Sequence, residues 1–254
     1  MKRLIIIGIT LILFACAGSP GAGSNSSTIK NTSHIITLPE PGNLIILGVA
    51  GRQTTREREL NIAKEDAARK ASMYHWVYGT SVEWQYIGPG FFDYDVGSAS
   101  WLDYDEQLEA YMNRLQFDPD KDLARDRDGV TYIRFSYPAN FPGSVGYWIG
   151  KNPDGSPEWT TRPPDRINGF VAGVGHSGRQ IRFSDTVRKS YEAAVISIVS
   201  KVSTSIETSD TSIYSQNEIQ IRRQSSGALN NFLVLEIWIE PETMAVWTLA
   251  IART

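Results

Sequence analysis

Cysteine and histidine are scarce in this sequence. Cys16 is the single cysteine of 254 residues, so no disulfide can form within the chain and the fold has to rest on its apolar core. The three histidines are His34, His75 and His176, and no two of them have the spacing of a zinc-ligand pair. We therefore predict no metal site, and we expect His75 and His176 to be exposed or capping residues.

An excess of positive charge is also lacking, as are long apolar runs after the N-terminal stretch. The formal net charge is −3, which gives no basic field and excludes nucleic acid as a predicted partner. No segment beyond Phe14 is apolar over the roughly 20 residues that a transmembrane helix needs. Any attachment to a membrane therefore has to come from the N-terminus.

The N-terminal stretch MKRLIIIGITLILFAC has the pattern of an export signal. Two basic residues precede an apolar run from Leu4 to Phe14, which is too short to span a bilayer. The run ends in LFAC, which resembles the lipobox of bacterial lipoproteins, where the cysteine is acylated and becomes the new N-terminus. We expect residues 1–15 to be removed and Cys16 to carry the lipid, palmitate included.

Residues 16–43 are rich in Gly, Ser and Asn, and this composition predicts a flexible tether between the lipid and the folded part. Ala17 stands where an aspartate would retain many lipoproteins at the inner membrane. The resemblance to known sorting signals thus favours the outer membrane, with the folded part in the periplasm. The expected partners are the membrane, through the N-terminal lipid, and other envelope proteins or a second copy of the chain.

Two stretches of the sequence repeat the same features in the same order. The segment LIILGVAGRQ, residues 44–53, aligns with the end of GFVAGVGHSGRQ, residues 169–180. A helical pattern with alanines follows each stretch, so the sequence predicts two copies of one unit. The matched pairs are Gly48 with Gly175, Gly51 with Gly178, Arg52 with Arg179 and Gln53 with Gln180.

The second stretch contains the spacing G-x-G-x-x-G at Gly173, Gly175 and Gly178. In a dinucleotide-binding turn the helix begins at the third glycine, where its amides meet the pyrophosphate. Here residues 179–183 come before the predicted helix, and the first copy has Ile46 in place of the first glycine. We predict a strand-end turn in which the glycines serve backbone geometry, and no cofactor.

Each copy reads as a buried strand, an amphipathic helix and then β-branched strands. The first helix is predicted to start at a T-x-x-E capping box of Thr54 and Glu57, and the second at Ser184 or Asp185. The pattern indicates an α+β fold of two β-α-β-β units, each a helix packed on an antiparallel sheet. A hairpin turn over residues 240–243 joins the last two strands.

The predicted organisation is a signal peptide at 1–15, a tether at 16–43, a first unit at 44–150, a linker at 151–166 and a second unit at 167–254. The first unit includes an insertion for which an amphipathic helix is predicted. The residues that share one face of that helix are Tyr104, Leu108, Tyr111, Met112 and Leu115.

The second half of the chain resembles the Lpp-twenty lipoprotein family of bacterial envelope proteins. The resemblance lies in PEWTTRPPDRINGFVAGVG, in the YEAA of the helix, in KVSTSIET and in EIWIEPETMAVWTLA. It covers residues 157–253 and, in the first half, only the glycine strand and the alanine helix. It implies a β-α-β-β unit with its helix on an antiparallel sheet, and it implies no catalytic residues.

Aromatic and acidic residues are interleaved in the insertion of the first copy. Such a segment can form a sugar- or protein-binding surface or a face that touches lipid, or its rings can fill the gap between the two sheet units. Both interpretations stay open at this point. The aromatic residues are Trp84, Tyr86, Phe91, Phe92, Tyr94, Trp101 and Tyr104.

Patterns typical of catalysis are missing from the sequence. No serine has the G-x-S-x-G surroundings of a nucleophile elbow, and the acidic run over 118–128 lacks the glycine and the last carboxylate of a calcium loop. We expect a non-enzymatic, lipid-anchored envelope protein with a structural or assembly role through protein contacts. The alternative is a lipid- or glycan-binding module that uses the aromatic insertion 84–115.

Overall fold

The computed structural model of the chain describes residues 32–87, 94–126, 128–141, 145, 150–204, 211–215 and 218–253. For residues 83–87, 94–101, 204, 211–215 and 218–223 the description covers the backbone only. Helices and strands are both present in these residues, and every strand pairing described is antiparallel. The predicted α+β class is confirmed.

The helices are α1 (Arg56–His75), α2 (Leu108–Met112) and α3 (Phe183–Thr204), with one turn of 3-10 helix at Glu158–Thr160. The strands are β1 (His34–Ile36), β2 (Asn43–Ala50), β3 (Val77–Ile87), β4 (Tyr94–Tyr104), β5 (Leu123–Arg125), β6 (Thr131–Pro138), β7 (Arg166–Ile167), β8 (Phe170–Ser177), β9 (Thr211–Ser215), β10 (Glu218–Ile239) and β11 (Val246–Arg253).

The strands form two sheets. The smaller has the order β2-β6-β5, and the larger has the path β4-β3-β10-β11-β8-β7, with β1 and β9 also paired to β10. In the first copy the opening strand β2 pairs with the closing strand β6, and in the second copy β8 pairs with β11 in the same way. The helix of each copy packs on its opening strand, α1 on β2 and α3 on β8. Both stretches thus contain a long helix packed on the first strand of an antiparallel pair.

Strand β3 departs from the predicted arrangement of separate units. It follows α1 directly, yet it pairs with β10 of the second copy over eleven residue pairs, from Val77 opposite Leu229 to Ile87 opposite Ile219. Strand β10 has 22 residues, which is enough to pair with β3 and β9 along its first half and with β11 and β1 along its second. Strand β10 therefore pairs with strands from both sides of the segment predicted as a linker, residues 151–166.

Strand β2 is buried on both faces, and the two faces belong to different hydrophobic clusters. Leu44 and Ile46 lie in a cluster with the alanines of α1, whereas Leu47 and Val49 lie in a cluster with the apolar face of α3. Both clusters also contain residues of β10 and β11. Because burial of apolar surface is the main stabilising term in folding, each copy depends on the other for its core.

Both long helices begin differently from the predictions. Thr55, not Thr54, is the N-cap of α1, and its hydroxyl accepts a hydrogen bond from the backbone N–H of Arg58 at 3.3 Å. Helix α3 begins at Phe183, so Ser184 and Asp185 lie inside its first turn. Thr54 and Thr55 satisfy the same sequence rule, so the sequence does not distinguish between them.

The repeated glycines Gly48 and Gly175 lie inside strands, not in the predicted strand-end turn. A Cβ atom on Gly48 would lie 2.2 Å from the carbonyl oxygen of Ala63 in α1, and one on Gly175 would lie 2.0 Å from that of Ser190 in α3. The alignment that pairs Gly48 with Gly175 also pairs Ala63 with Ser190. The same close approach of helix to strand therefore occurs in both copies.

The other two repeated glycines, Gly51 and Gly178, have no such constraint. A Cβ atom on either would meet no atom within 4 Å, and neither has a positive φ. The expectation that they serve backbone geometry finds no steric support. They differ from Gly48 and Gly175 because they lie beyond the strands, where no helix crosses the backbone.

Two segments predicted as connections contain packed structure. In the predicted tether, residues 34–36 form β1 on the edge of β10, and Ile35 is buried. In the predicted linker, Trp159 is buried and its Nε1 donates to Glu236 Oε2 at 2.8 Å. His34 Nε2 lies 2.9 Å from the same oxygen. One buried carboxylate of β10 thus holds both segments, while residues 16–31 lie outside the described residues.

The helix predicted in the insertion is much shorter than expected. Tyr104 ends β4, where it stands opposite Val77 of β3, and only Leu108–Met112 are helical. Leu115 lies beyond the helix and is buried. Pairing with β3 extends β4 to Tyr104, so the apolar residues with helical spacing are divided between a strand, one short helix and the chain that follows it.

Candidate functional site

A groove of about 660 Å³ lies between the two copies, at the loops that connect each opening strand to its helix. We call it the arginine groove. The first loop, after β2, and the second loop, after β8, both line it. Its lining residues are Gly51, Arg52, Gln53, Arg58, Ile62, Asp128, Val130, Arg179, Gln180, Ile181, Arg182, Phe183, Ser184 and Met244.

The two loops have matching conformations. Gln53 Nε2 donates to the carbonyl oxygen of Gly51 at 3.1 Å, and Gln180 Nε2 donates to that of Gly178 at 3.0 Å. These side chains and their acceptors are equivalent residues of the repeat, so each glutamine closes its own loop in the same way. The arginine that precedes each glutamine therefore enters the arginine groove from an equivalent position.

The lining of the arginine groove is strongly cationic. Four of its residues are arginines and one, Asp128, is acidic, although the whole chain has a net charge of −3. Among the described residues, the arginines that form ion pairs are others. A guanidinium group stays charged at any physiological pH and presents five N–H donors. The arginine groove is thus a concentration of positive charge that fits an anion.

An apolar side chain lies among these cations. Ile181, between Gln180 and Arg182, has a relative exposure of 106%. The other exposed large hydrophobic residue among those described, Trp76, has 39%. Isolated exposed hydrophobic residues are ordinary, but one that is fully exposed at the rim of a cationic cavity provides apolar contact area next to the anion site.

The structure places the glycine fingerprint away from any helix start. Gly173 and Gly175 lie in β8, and α3 begins at Phe183, beyond Gly178 and the rest of the second loop. The first amides of α3 therefore do not meet the third glycine as a dinucleotide-binding turn requires.

The arginines of the arginine groove were not predicted as site residues. The repeat aligns Arg52 with Arg179, and this pair is the sequence signal that could have indicated the arginine groove.

The aromatic residues of the predicted binding surface fall in and around one hairpin. Trp84 and Tyr86 lie in β3, Tyr94, Trp101 and Tyr104 lie in β4, and Phe91 and Phe92 lie outside the described residues. Tyr104 is half-buried and packs against the cluster that contains the apolar face of α3. Tyr104 thus serves the core, and the prediction of a binding surface on this segment stays a prediction.

The histidines lie in three different elements, His34 in β1, His75 in α1 and His176 in β8. The Nε2 atom of His75 lies 3.0 Å from Tyr137 Oη. The ring of His176 packs against that of Trp247, with the two ring centroids 4.2 Å apart. Burial, with the nearby Arg114 charge, lowers the pKa of His75. In the part of the chain that the structure describes, no three His, Cys, Asp or Glu side chains are placed to hold a metal ion.

No family model, curated protein or solved structure matches this chain. The resemblance to the Lpp-twenty family stays a prediction. As for membrane-spanning segments, none of the helices in the described ranges is long and apolar enough to cross a bilayer.

A buried polar contact joins the helices of the two copies. Lys70 of α1 donates from Nζ to Asp66 Oδ2 at 2.6 Å and to the carbonyl oxygen of Leu47 at 2.7 Å. The same ammonium group lies 4.5 Å from the centre of the Tyr191 ring in α3. Burial lowers the pKa of Lys70, whereas the Asp66 carboxylate opposes that shift. All these contacts are internal, so Lys70 is a structural cation.

A second buried carboxylate, Glu59, lies in the first turn of α1. Its Oε1 accepts from Thr131 Oγ1 at 2.6 Å, and its Oε2 accepts from Arg56 at 2.8 Å and also from Arg125. Burial alone would raise the pKa of Glu59, but the bonds from Thr131, Arg56 and Arg125 outweigh it and hold the pKa below the ordinary value of 4.5. Glu59 therefore fastens α1 to β5 and β6.

Glu59→Gln is expected to remove part of the acid sensitivity of the fold. Because the native pKa of Glu59 is lowered, the unfolded state takes up a proton first as the pH falls below about 4.5, and stability is lost there. At pH 7 the variant should be less stable by about 1–3 kcal/mol, since it loses charge-assisted bonds. Urea unfolding from pH 7 to pH 3 should show that difference shrinking, and a difference that stays constant would contradict the assignment.

Proposed function

We propose that this chain is a lipid-anchored bacterial envelope protein with a non-enzymatic, structural or assembly role, and that its contacts are made through the arginine groove. The N-terminal signal and Cys16 support the anchor. The observation that carries the binding role is the cationic lining that both copies contribute to one cavity.

The chemistry of the arginine groove supports binding over catalysis. Among the described residues that line it, the side chains able to act as an acid, base or nucleophile are Asp128 and Ser184, and no histidine, lysine or cysteine accompanies them. Histidine is the commonest general acid–base residue, and a serine nucleophile is activated by an adjacent base. Two buried groups with shifted pKa values, Glu59 and Lys70, are engaged in interior contacts.

Cys16→Ser is expected to abolish the incorporation of labelled palmitate into the protein, because the single acylation site is lost. Mass spectrometry of the wild-type protein should find a mature chain that starts at Cys16 and carries acyl groups. A mature wild-type protein that retains Met1, or a Cys16→Ser variant that still incorporates palmitate, would refute the anchor.

The contact role is tested by photo-crosslinking in intact cells. A photoreactive amino acid at Ile181 would report on the arginine groove, and its full exposure means that no packing is disturbed. The same group at Glu109, which is exposed on α2, is the matched control outside the groove. We expect specific adducts from Ile181 only. An absence of adducts, or equal adducts from both positions, would count against the arginine groove as the contact site.

A further inference from the structure

We propose that the ligand of the arginine groove is the phosphate-bearing head group of an anionic phospholipid, so that the folded part itself docks on a membrane surface. This inference rests on the proposed function in one respect, namely that the arginine groove is a binding site. It adds the chemical class of the ligand and a second membrane contact besides the lipid anchor.

The first argument is the match between guanidinium groups and phosphate. Arginine binds phosphate oxygens through two parallel N–H donors, which gives both strength and orientation. Arg52 and Arg179 reach the arginine groove from equivalent positions of the repeat, and Arg58 and Arg182 add charge next to them. Four cations around one cavity repel each other, and a bound anion relieves that repulsion.

The second argument is the size and shape of the site. A volume of about 660 Å³ falls within the range of about 300–1,000 Å³ of small-molecule pockets. That volume is larger than a phosphate ion needs and suits a head group with its glycerol backbone. The glutamine in each loop donates to a backbone carbonyl of its own loop, so these two lining side chains already have a partner inside the protein.

The third argument is Ile181, which selects an amphiphile over a soluble anion. Membrane-surface proteins combine basic residues that meet the head groups with apolar residues that enter the acyl boundary. Ile181 is fully exposed and stands one residue from Arg182 and two from Arg179. With the head group between the arginines, its side chain is placed to contact the apolar part of the same lipid.

The test uses the mature chain from residue 16 with Cys16→Ser, so that no acyl group contributes to binding. Co-flotation is measured with vesicles of phosphatidylcholine alone and with mixed vesicles of phosphatidylcholine and phosphatidylglycerol. We expect binding to the anionic vesicles only. The double variant Arg52→Gln/Arg179→Gln should reduce the affinity about tenfold or more, since each basic residue near an anionic surface contributes to the attraction.

The matched control is Arg162→Gln/Arg166→Gln, which removes the same charge from two exposed arginines outside the arginine groove and should change the affinity less than twofold. Ile181→Ser should weaken vesicle binding severalfold. Added inorganic phosphate should inhibit the vesicle binding of this variant to the same degree as that of the wild type. The substituted side chains are exposed, so we expect every variant to fold. Thermal melting curves check this.

Three results would overturn the assignment. The first is the absence of any preference for anionic vesicles. The second is an equal loss in both double variants, which would mean diffuse charge attraction. The third is full vesicle binding by Ile181→Ser together with tight binding of inorganic phosphate, which would make the arginine groove a free-phosphate site. If vesicles fail but Ile181 still crosslinks a protein in cells, the lipid inference fails alone and the proposed function stands.

Discussion

Gly175→Ala is expected to lower the free energy of unfolding by about 3 kcal/mol or more, whereas Gly178→Ala should change it by less than about 0.5 kcal/mol. Both substitutions add one methyl group to a glycine of the same short motif. A loss of about 3 kcal/mol is a large part of the stability of an ordinary domain, so the first variant should melt far below the second in a thermal unfolding experiment.

The reason is the space available to the added methyl group. On Gly175 the new Cβ would lie 2.0 Å from the carbonyl oxygen of Ser190 and 2.3 Å from the backbone nitrogen of Ala194. These are backbone atoms of α3, so they cannot rotate away, and the helix has to move off β8. On Gly178 the new Cβ would meet nothing within 4 Å.

The first copy provides an independent pair with the same contrast. Gly48→Ala places a Cβ 2.2 Å from the carbonyl oxygen of Ala63, and Gly51→Ala places one in open space. If all four alanine variants had similar melting temperatures, the close helix–strand contacts would be wrong. If Gly51→Ala or Gly178→Ala were the harmful change instead, the turn interpretation that the sequence favoured would be restored.

Lys70→Met is expected to lower the free energy of unfolding by about 3 kcal/mol. Methionine fills a similar volume, so the loss comes from the charge. Without the ammonium group, Asp66 keeps the backbone N–H of Val49 as its donor, at 2.8 Å, but it has lost its counter-ion in a site that is largely buried. Equilibrium unfolding in urea measures the difference.

The same helix offers a matched control for the charge pair. Arg69 and Glu65 have the same i,i+4 spacing as Lys70 and Asp66, and their side chains are 35% and 39% exposed. Arg69→Met should therefore cost less than about 1 kcal/mol. The double variant Asp66→Asn/Lys70→Met should recover part of the loss, because it removes the uncompensated charge and keeps a hydrogen-bond acceptor. Equal losses for Lys70→Met and Arg69→Met would refute the stabilising role of the buried charge pair of Lys70 and Asp66.

The repeat and the order of its elements were predictable because they depend on local patterns. The apolar runs of β2 and β8 and the alanine stripe of α1 follow from short-range periodicity, and the hairpin of β10 and β11 follows from its turn residues. The partner of β3 was not predictable, since the sequence of a β-branched strand does not indicate which other strand it will pair with. The same holds for Trp159, whose carboxylate partner Glu236 is 77 residues away.

Only part of the arginine groove could be predicted from the sequence. The alignment matched Arg52 with Arg179, but whether repeated residues meet in space depends on how the two copies are placed. The glycines misled for a related reason. A glycine needed for a positive φ and one needed for close packing have the same letter, and the sequence alone does not distinguish them.

Strand β10 also has a consequence for dividing the chain in two. A piece that ended between β6 and β7 would contain β3 without the eleven residues of β10 that pair with it. The other piece would contain β10 with the same edge unpaired. Because one strand completes the hydrogen bonding on both sides of such a cut, each piece would lack a partner for one of its strands.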